Sequence, residues 1–351
     1  MIAFRSVSTL LLLIASICIS SGNIRDINGE YSIPTKHFPI LKLLYDARSV
    51  SMGGVTIGMP NTNVGAISNP AALGYINSNQ VMISYKPIII DVKGGAVGYG
   101  QPMGTYGNWA FSIVYLSYGT FDNLLDENKK SIEGSLHPYS LEGGISWAKL
   151  IGNSFSAGFT FKGMYDMLSE GIEGEIDDFS ADGFAIDMGV QYRTASSRLI
   201  YGLFIKNIGF VRSNFEDKLD IKGLPLNFAS GFSYVFRNYP RIRIALDFEK
   251  PIDNYLQYHA GIELNAYKQK IFFRGGINCN HKDLEEFFLL IKNGISQYDY
   301  KKSNWSLFSI GTGINSQIND IDISADFAFN FRNKLPSGFP PGFILSLILG
   351  F

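Results

Sequence analysis

The chain has 351 residues, of which 46% are hydrophobic, 14% aromatic and only 17% charged, where an ordinary soluble domain carries roughly 25% charged residues. Lys+Arg 30 against Asp+Glu 31 leave a net charge of -1, so there is no basic field to hold nucleic acid. The two cysteines and the four histidines, His37, His137, His259 and His281, fall without ligand spacing, which argues against a metal site, a disulfide framework or a bound cofactor.

Residues 1–22 read as a secretory signal peptide, with Arg5 in a short charged start, an apolar run over 10–19, and Ser20, Ser21 and Gly22 before the expected cleavage point. No later stretch reaches the roughly 18 uninterrupted apolar residues of a transmembrane helix. Export without a helical anchor leaves two choices, a soluble periplasmic or secreted protein and a barrel in the outer membrane of a diderm bacterium.

Residues 23–79, between the signal peptide and the first strand, come next and are too long for a spacer. Its 46–76 portion reads DARSVSMGGVTIGMPNTNVGAISNPAALGYI. The glycines permit tight backbone geometry, and the Asn69-Pro70 step favours a turn before Ala71, Ala72 and Leu73.

From residue 80 onward the pattern has a period of two. Phe155, Ala157, Phe159 and Phe161 alternate with Ser154, Ser156, Thr160 and Lys162, and Ile242, Ile244, Leu246 and Phe248 alternate with Arg241, Arg243, Asp247 and Glu249. Fourteen such segments can be placed, at 80–91, 94–102, 107–119, 139–149, 153–166, 181–193, 198–208, 223–237, 240–249, 256–267, 270–279, 304–315, 319–330 and 341–351. Alternation alone would suit a sandwich. Three features favour a 14-stranded antiparallel transmembrane β-barrel over 80–351. The segments have about the ten residues a tilted strand needs to cross an outer membrane. Gly158, Gly189, Gly231, Gly261 and Gly276 on the polar face leave room for something in the lumen. Connections alternate between short ones, such as 150–152 and 268–269, and long ones at 120–138, 167–180, 209–222, 280–303 and 331–340.

Tyr99, Tyr115, Tyr118, Tyr165, Tyr192 and Tyr234 lie near segment ends, as interfacial girdle residues do. The last segment alternates up to the final residue, Phe351. A terminal phenylalanine on an amphipathic last strand resembles the signal read by the barrel-assembly machinery.

Taken in order, Ala47-Arg48, Met52-Gly53-Gly54 and Asn69-Pro70-Ala71 with Leu73 carry a family resemblance. Weaker echoes follow in 206–209, 224–226 and 273–276 and around Asp322 and Asp326. The sequence resembles the PorV/PorQ outer-membrane proteins, within the wider FadL-like (UPF0164-type) barrels. The resemblance implies a fourteen-stranded barrel whose amino-terminal segment folds into the lumen as a hatch. It also implies two jobs, since PorV-type members serve the type IX protein secretion system whereas FadL-type members pass hydrophobic molecules.

By the alternation, Lys162, Asp187, Arg193, Lys206, Arg241, Arg243, Asp247, Glu249, Glu263, Arg274, Asp322 and Asp326 point inward. Their signs nearly balance, unlike the one-sign rings of an ion-selective porin. Arg48 is placed to pair with an inward carboxylate, and His259 to make a lumen hydrogen bond. There is no G-x-S-x-G elbow, H-E-x-x-H pair or P-loop, so no enzyme is expected.

The expected function is a type IX secretion-associated barrel that binds or hands over exported proteins, with loops 120–138 and 280–303 as contact surfaces. The alternative is a FadL-like channel for passive uptake of long-chain fatty acids or other hydrophobic small molecules. Partners under either reading are outer-membrane lipid, the assembly machinery, and secretion proteins with their clients or an apolar ligand.

Overall fold

The computed structural model describes residues 38–60, 68–89, 91–122, 124–125, 131–132, 134–172, 176–213, 223–237, 241–281, 284, 307–331 and 342–351. Fourteen of its strands close into one antiparallel barrel. In chain order they are β1 (Gln80–Ile89), β2 (Val92–Pro102), β3 (Asn108–Ser117), β6 (Tyr139–Ile151), β7 (Phe155–Ile172), β8 (Ile176–Arg193), β9 (Leu199–Ser213), β10 (Asn227–Val235), β11 (Ile242–Pro251), β12 (Gln257–Tyr267), β13 (Ile271–Asn280), β14 (Leu307–Ile318), β15 (Ile321–Phe331) and β16 (Gly342–Gly350). Each pairs with its sequence neighbour, and β1 closes on β16. The short pair β4 (Leu124–Leu125) and β5 (Ser131–Ile132) lies in the connection after β3.

Every expected segment coincides with a strand, and the chief departure is in length. β7 and β8 stay paired as far as Ile172↔Ile176, so most of the connection expected at 167–180 is hairpin. Backbone pairing continues there after the alternation of apolar residues has ended, because ladder hydrogen bonds do not require a greasy face. Likewise β9 runs to Ser213, into the expected 209–222 connection.

The outward face is apolar. Along β3, Trp109, Phe111, Ile113 and Tyr115 are exposed while Ala110, Ser112, Val114 and Leu116 are buried. Ile83, Val97, Phe159, Phe161, Phe273, Ile277, Phe308 and Leu345 extend the same exposed belt around the barrel. Closing the sheet pairs the strand edges with one another behind such a belt, which is how strands cross a membrane. Tyr115, Tyr139 and Tyr165 form an aromatic ladder with centroids 5.8 and 6.2 Å apart. Tyr118 departs from the girdle expectation: it is half-buried, packs against the lumen cluster, and its hydroxyl meets Ser140 Oγ at 3.0 Å.

One end of the barrel has short turns. Lys268-Gln269 and Asn319-Asp320 each hold two consecutive residues at positive φ, the mirror-type turn whose twist matches a two-residue hairpin. Phe351 closes the same rim through backbone hydrogen bonds with Asn79, at 2.9 and 3.1 Å, and its ring is exposed. The opposite end carries the long connections. The apolar stretch at 287–291 lies outside the described residues.

Candidate functional site

The amino-terminal segment runs through the inside of this ring. Near the long-loop end, Phe38 N donates to Asp166 Oδ2 at 3.2 Å and Lys42 pairs with Asp253. The segment then forms a short helix, α1 (Ala47–Ser51), that packs against β13, β14, β15 and β16. A 3-10 turn at Pro70–Tyr75 packs against β3, β6, β7 and β8. Asn108 Nδ2 donates to Leu73 O and Ile76 O at 2.8 and 3.0 Å, and the chain enters β1 from there at the short-turn end.

The motif residues have local reasons for their identities. Asp46 caps α1, accepting from Arg48 N and Ser49 N at 3.3 and 3.0 Å. Met52 is fully buried and ends the helix, and Gly53 and Gly54 follow at φ 73° and 94°, a conformation that side chains rarely adopt. A Cβ on Gly53 would also stand 2.5 Å from Ile277 O on the wall. Asn69 caps the 3-10 turn by accepting from Ala71 N at 3.1 Å, and Pro70 supplies its first residue.

The inward glycines meet this segment directly. A methyl at Gly276 would fall on the backbone of Met52 and Gly53, and one at Gly189 on the Asn69 side chain. At Gly158 it would come within 2.8 Å of Pro70 O, and at Gly261 within 2.6 Å of Met52 O. The backbone of the plug therefore lies against the backbone of the wall.

One side of the lumen is ionic. Arg48 bonds Glu263 through Nε and Nη2, both at 2.9 Å. Arg274 donates to the same Glu263 at 2.9 Å and to Asp326 at 2.6 Å. Burial opposes the charge of Arg48, but the Glu263 carboxylate overrides it and holds the guanidinium above its ordinary pKa. Arg243 reaches Glu263 at 3.6 Å. Asp247 Oδ2 accepts from Thr56 N and Ile57 N at 2.6 and 2.8 Å, and its cross-strand partner His259 meets Gly53 O through Nδ1 at 2.7 Å. Lys162 pairs with Asp187 at 3.0 Å and Asn207 at 2.6 Å, within the wall. Lys206 lies over the Phe204 ring, and Glu249 accepts from Asn227 at 2.7 Å. Asp322 and Arg241 sit at the short-turn rim and are exposed.

The lumen also holds an apolar cluster that the alternation did not reveal, beside the buried charges Glu142, Lys162, Asp166 and Asp187 of β6, β7 and β8. Ala96, Ala110, Val114, Leu116, Ala148, Met164, Ala181 and Ala185 line the inner face from β2 to β8. With Phe38, Ile40, Tyr45 and Leu73 of the plug they form one buried cluster. Burial, and secondarily the charge of Glu142, pushes the Tyr45 phenol well above its ordinary pKa, so it stays neutral there. Three further docking residues carry no charge and so gave no signal. Gln191 donates to Ile57 O and Met59 O at 3.1 and 3.0 Å. Ser309 accepts from Gly53 N at 3.0 Å, and Ser346 from Ala47 N at 2.9 Å.

The wall has a seam. β1 pairs with β16 from Gln80↔Gly350 to Tyr85↔Leu345, and the pairing stops there. Beyond that point β1 continues against β2 and β16 against β15. Pro87, which has no N–H to offer, sits in the unpaired stretch. A cavity of about 20 Å³, room for a single water, lies between Lys86–Ile88 and Gly342–Ile344 and reaches Val50 of the plug. Below it, a groove of about 420 Å³ on the outward face runs past Tyr85, Phe327, Leu345 and Leu347. Inside, Ala47 and Val50 pack against Ala328 and Ile344 and cover the seam.

No family model and no curated protein matches the sequence. Solved structures do match in fold. The TodX monoaromatic hydrocarbon channel, in a deltaS2 mutant form, superposes with a TM-score of 0.58 at 12% identity, covering 87% of this chain and 97% of that one. The Pseudomonas putida toluene transporter TodX gives 0.55 at 12% identity, over 86% and 96% of the two chains. The Ralstonia pickettii toluene transporter TbuX gives 0.54 at 12% identity, over 87% and 97%. At such identity the likeness shows the fold alone: a closed fourteen-strand antiparallel barrel. The narrower PorV/PorQ resemblance rests on the sequence motifs.

Proposed function

We propose that the protein is a FadL-like channel of the outer membrane that passes apolar small molecules. The observation that carries this reading is the buried apolar cluster that residues of β2, β3, β6, β7 and β8 form with Phe38, Ile40, Tyr45 and Leu73 of the plug. A water-filled pore has no use for such a wall, since apolar surface facing water is unfavourable by roughly 25 cal/mol per Å². An apolar solute moving along it would replace the plug side chains. The seam between β1 and β16 offers such a solute a way into lipid. The solved barrels of like fold carry hydrocarbon and toluene transport in their names, which supports the reading without deciding it.

The short-turn end faces the periplasm under this reading. The test is uptake of radiolabelled toluene and dodecanol by cells producing the protein in a host without such channels. Val114→Asp, which places a charge on the apolar wall, is expected to lose the uptake while the protein still reaches the outer membrane. Uptake by Val114→Asp at the wild-type rate would sink the channel reading.

The ordered motif match over Arg48, Met52, Gly53, Gly54, Asn69, Pro70 and Ala71 favours a second reading, the type IX secretion component. Its contact surface at 280–303 lies almost wholly outside the described residues. Accumulation of exported proteins inside a deletion strain that takes up toluene normally would favour it over the channel.

A further inference from the structure

Charge is sorted around the short-turn rim. From β6 round to β13 the connections at this end span 149–155, 193–199, 236–241 and 267–271, and these four stretches hold seven cations and no aspartate or glutamate. Asp320 and Asp322 lie in the next turn, between β14 and β15. At the opposite end the sign reverses: the stretch 167–180 around the β7–β8 hairpin carries five carboxylates and no lysine or arginine.

Of the seven, Arg193 is engaged, lying over the Tyr75 ring and donating to Gln191. Lys149, Arg237, Arg241, Lys268 and Lys270 are exposed and Arg198 is half-buried. Among the described residues, none of these six makes an ion pair or a side-chain hydrogen bond. Their depth is set by their neighbours. Ile151, Phe236, Tyr267 and Ile271 are exposed, and each stands within two residues of a cation of the arc. Trp109 and Trp147 pair across β3 and β6 at the same end, and Trp147 Nε1 donates to Tyr106 O at 2.9 Å. Exposed apolar side chains run into hydrocarbon and tryptophan marks the bilayer interface, so the belt continues down to the turns themselves. Lysine and arginine beside such a belt lay their stems along it and hold their charges at headgroup depth. What they meet there is the phosphodiester of a phospholipid, which ammonium and guanidinium groups both bind.

We propose that the arc from Lys149 to Lys270 is a binding surface for the headgroups of anionic phospholipids in the periplasmic leaflet. This goes beyond the channel reading and takes from it only the placement of the short-turn end in the periplasm. A zwitterionic headgroup offers the same phosphate, but its ammonium opposes the arc, so the surface selects lipids of net negative charge. The acidic sector at β14 and β15 confines that selection to one side of the barrel.

The test is native mass spectrometry of the full-length protein in non-ionic detergent, titrated with equal amounts of phosphatidylglycerol and phosphatidylethanolamine of matched acyl chains. The wild type is expected to retain phosphatidylglycerol in preference. A quadruple variant, Arg237→Gln, Arg241→Gln, Lys268→Gln and Lys270→Gln, loses that preference, at about fivefold in affinity for each cation that a headgroup contacts. Lys129→Gln with Lys130→Gln, in the connection between β3 and β6 at the opposite end, keeps it. Heat-modifiable gel mobility establishes that each variant barrel is folded, and toluene uptake by the quadruple variant is expected at the wild-type rate, so failure of the arc leaves the channel reading standing. Equal retention of the two lipids by the wild type, or an unchanged preference in the quadruple variant, overturns the lipid surface. Binding to peptidoglycan sacculi by the wild type and not by the quadruple variant, with no lipid preference, overturns it in favour of cell-wall carboxylates. Placement is read separately, by a membrane-impermeant maleimide on intact cells producing Lys268→Cys. Labelling no greater than that of the wild type, which has its own Cys279, is expected, and stronger labelling overturns the periplasmic placement and the proposal with it.

Discussion

Asp247→Ala tests how the plug is fastened. One carboxylate oxygen, Asp247 Oδ2, accepts from two plug amides, Thr56 N at 2.6 Å and Ile57 N at 2.8 Å, and all three residues are buried. Each buried amide left without a partner costs about 1–3 kcal/mol. Part of that is offset, because removing the carboxylate also removes a buried oxygen, Oδ1, that has no hydrogen-bond partner. A net loss of about 3 kcal/mol corresponds to about 140-fold in the opening equilibrium, at 1.4 kcal/mol per decade. Hydrogen exchange read by mass spectrometry on peptides covering 53–60 should accelerate by that order, while peptides from β10 and β11 stay as protected as before. Asp247→Asn keeps an acceptor at the same place and should cost about 1 kcal/mol, about fivefold. The reasoning is refuted if exchange over 53–60 changes by less than about twofold in the alanine variant, or if the acceleration appears in β10 and β11 instead.

Two further outcomes follow from the same contacts. Gly276→Ala places a methyl on the backbone of Met52 and Gly53, so the barrel should still fold, as judged by heat-modifiable mobility, with α1 displaced and protease able to cleave within 47–56; an uncut plug would show that the wall yields instead. Tyr75 is pushed up to about 12, first by burial and against the pull of Arg193, so its contribution to plug docking is complete below about pH 10, its ordinary value, and is lost as the pH rises towards 12. Comparing the tyrosinate absorbance titration of wild type with that of Tyr75→Phe should isolate one phenol titrating near 12, and a difference centred near 10 would contradict its placement.

The barrel was legible because a period of two is written directly in side-chain chemistry, as in 242–249, where Ile and Leu alternate with Arg and Asp. The glycines at 158, 189, 231, 261 and 276 announced that something lies against the inner wall, and the plug backbone meets all but Gly231, which faces the Asp247 and Ile57 side chains. Arg48 announced its partner only in kind, since several inward carboxylates could have taken it and register alone selects Glu263. The apolar inner wall was hidden because Ala110, Val114 and Leu116 alternate with residues that are equally apolar, so β3 shows no contrast between its faces. Gln191, Ser309 and Ser346 were hidden for a different reason. A neutral polar side chain facing inward is the same in sequence whether it meets water or a plug amide. The break in β9 at Lys206 and Asn207, where Asn207 takes φ 62° and its amide donates to Asp187 at 2.7 Å, has no periodic signature either.

The two sides of the lumen fasten the plug by different physics, and that difference predicts which part moves. Residues 53–59 are tied to Asp247, His259, Gln191 and Ser309 by directional hydrogen bonds, each of which must be exchanged for another partner before the segment can shift. α1, at five residues, is too short to be stable alone, and beside the bonds of Ala47 N and Arg48 it is held by the apolar contact of Ala47 and Val50 with Ala328 and Ile344. An apolar solute can take over that contact, while the bonds of Ala47 N to Ser346 Oγ and of Arg48 to Glu263 must still be exchanged before the whole helix shifts. Val50→Ala removes two buried carbon groups, worth about 1.6 kcal/mol at about 0.8 kcal/mol each, or about 14-fold in opening. Exchange over 47–52 should rise by that order and uptake of the apolar probe should quicken, with 53–57 as protected as in the wild type. An equal rise over 53–57 would mean that the plug moves as one unit, and the seam would then lose its claim to be the part that opens first.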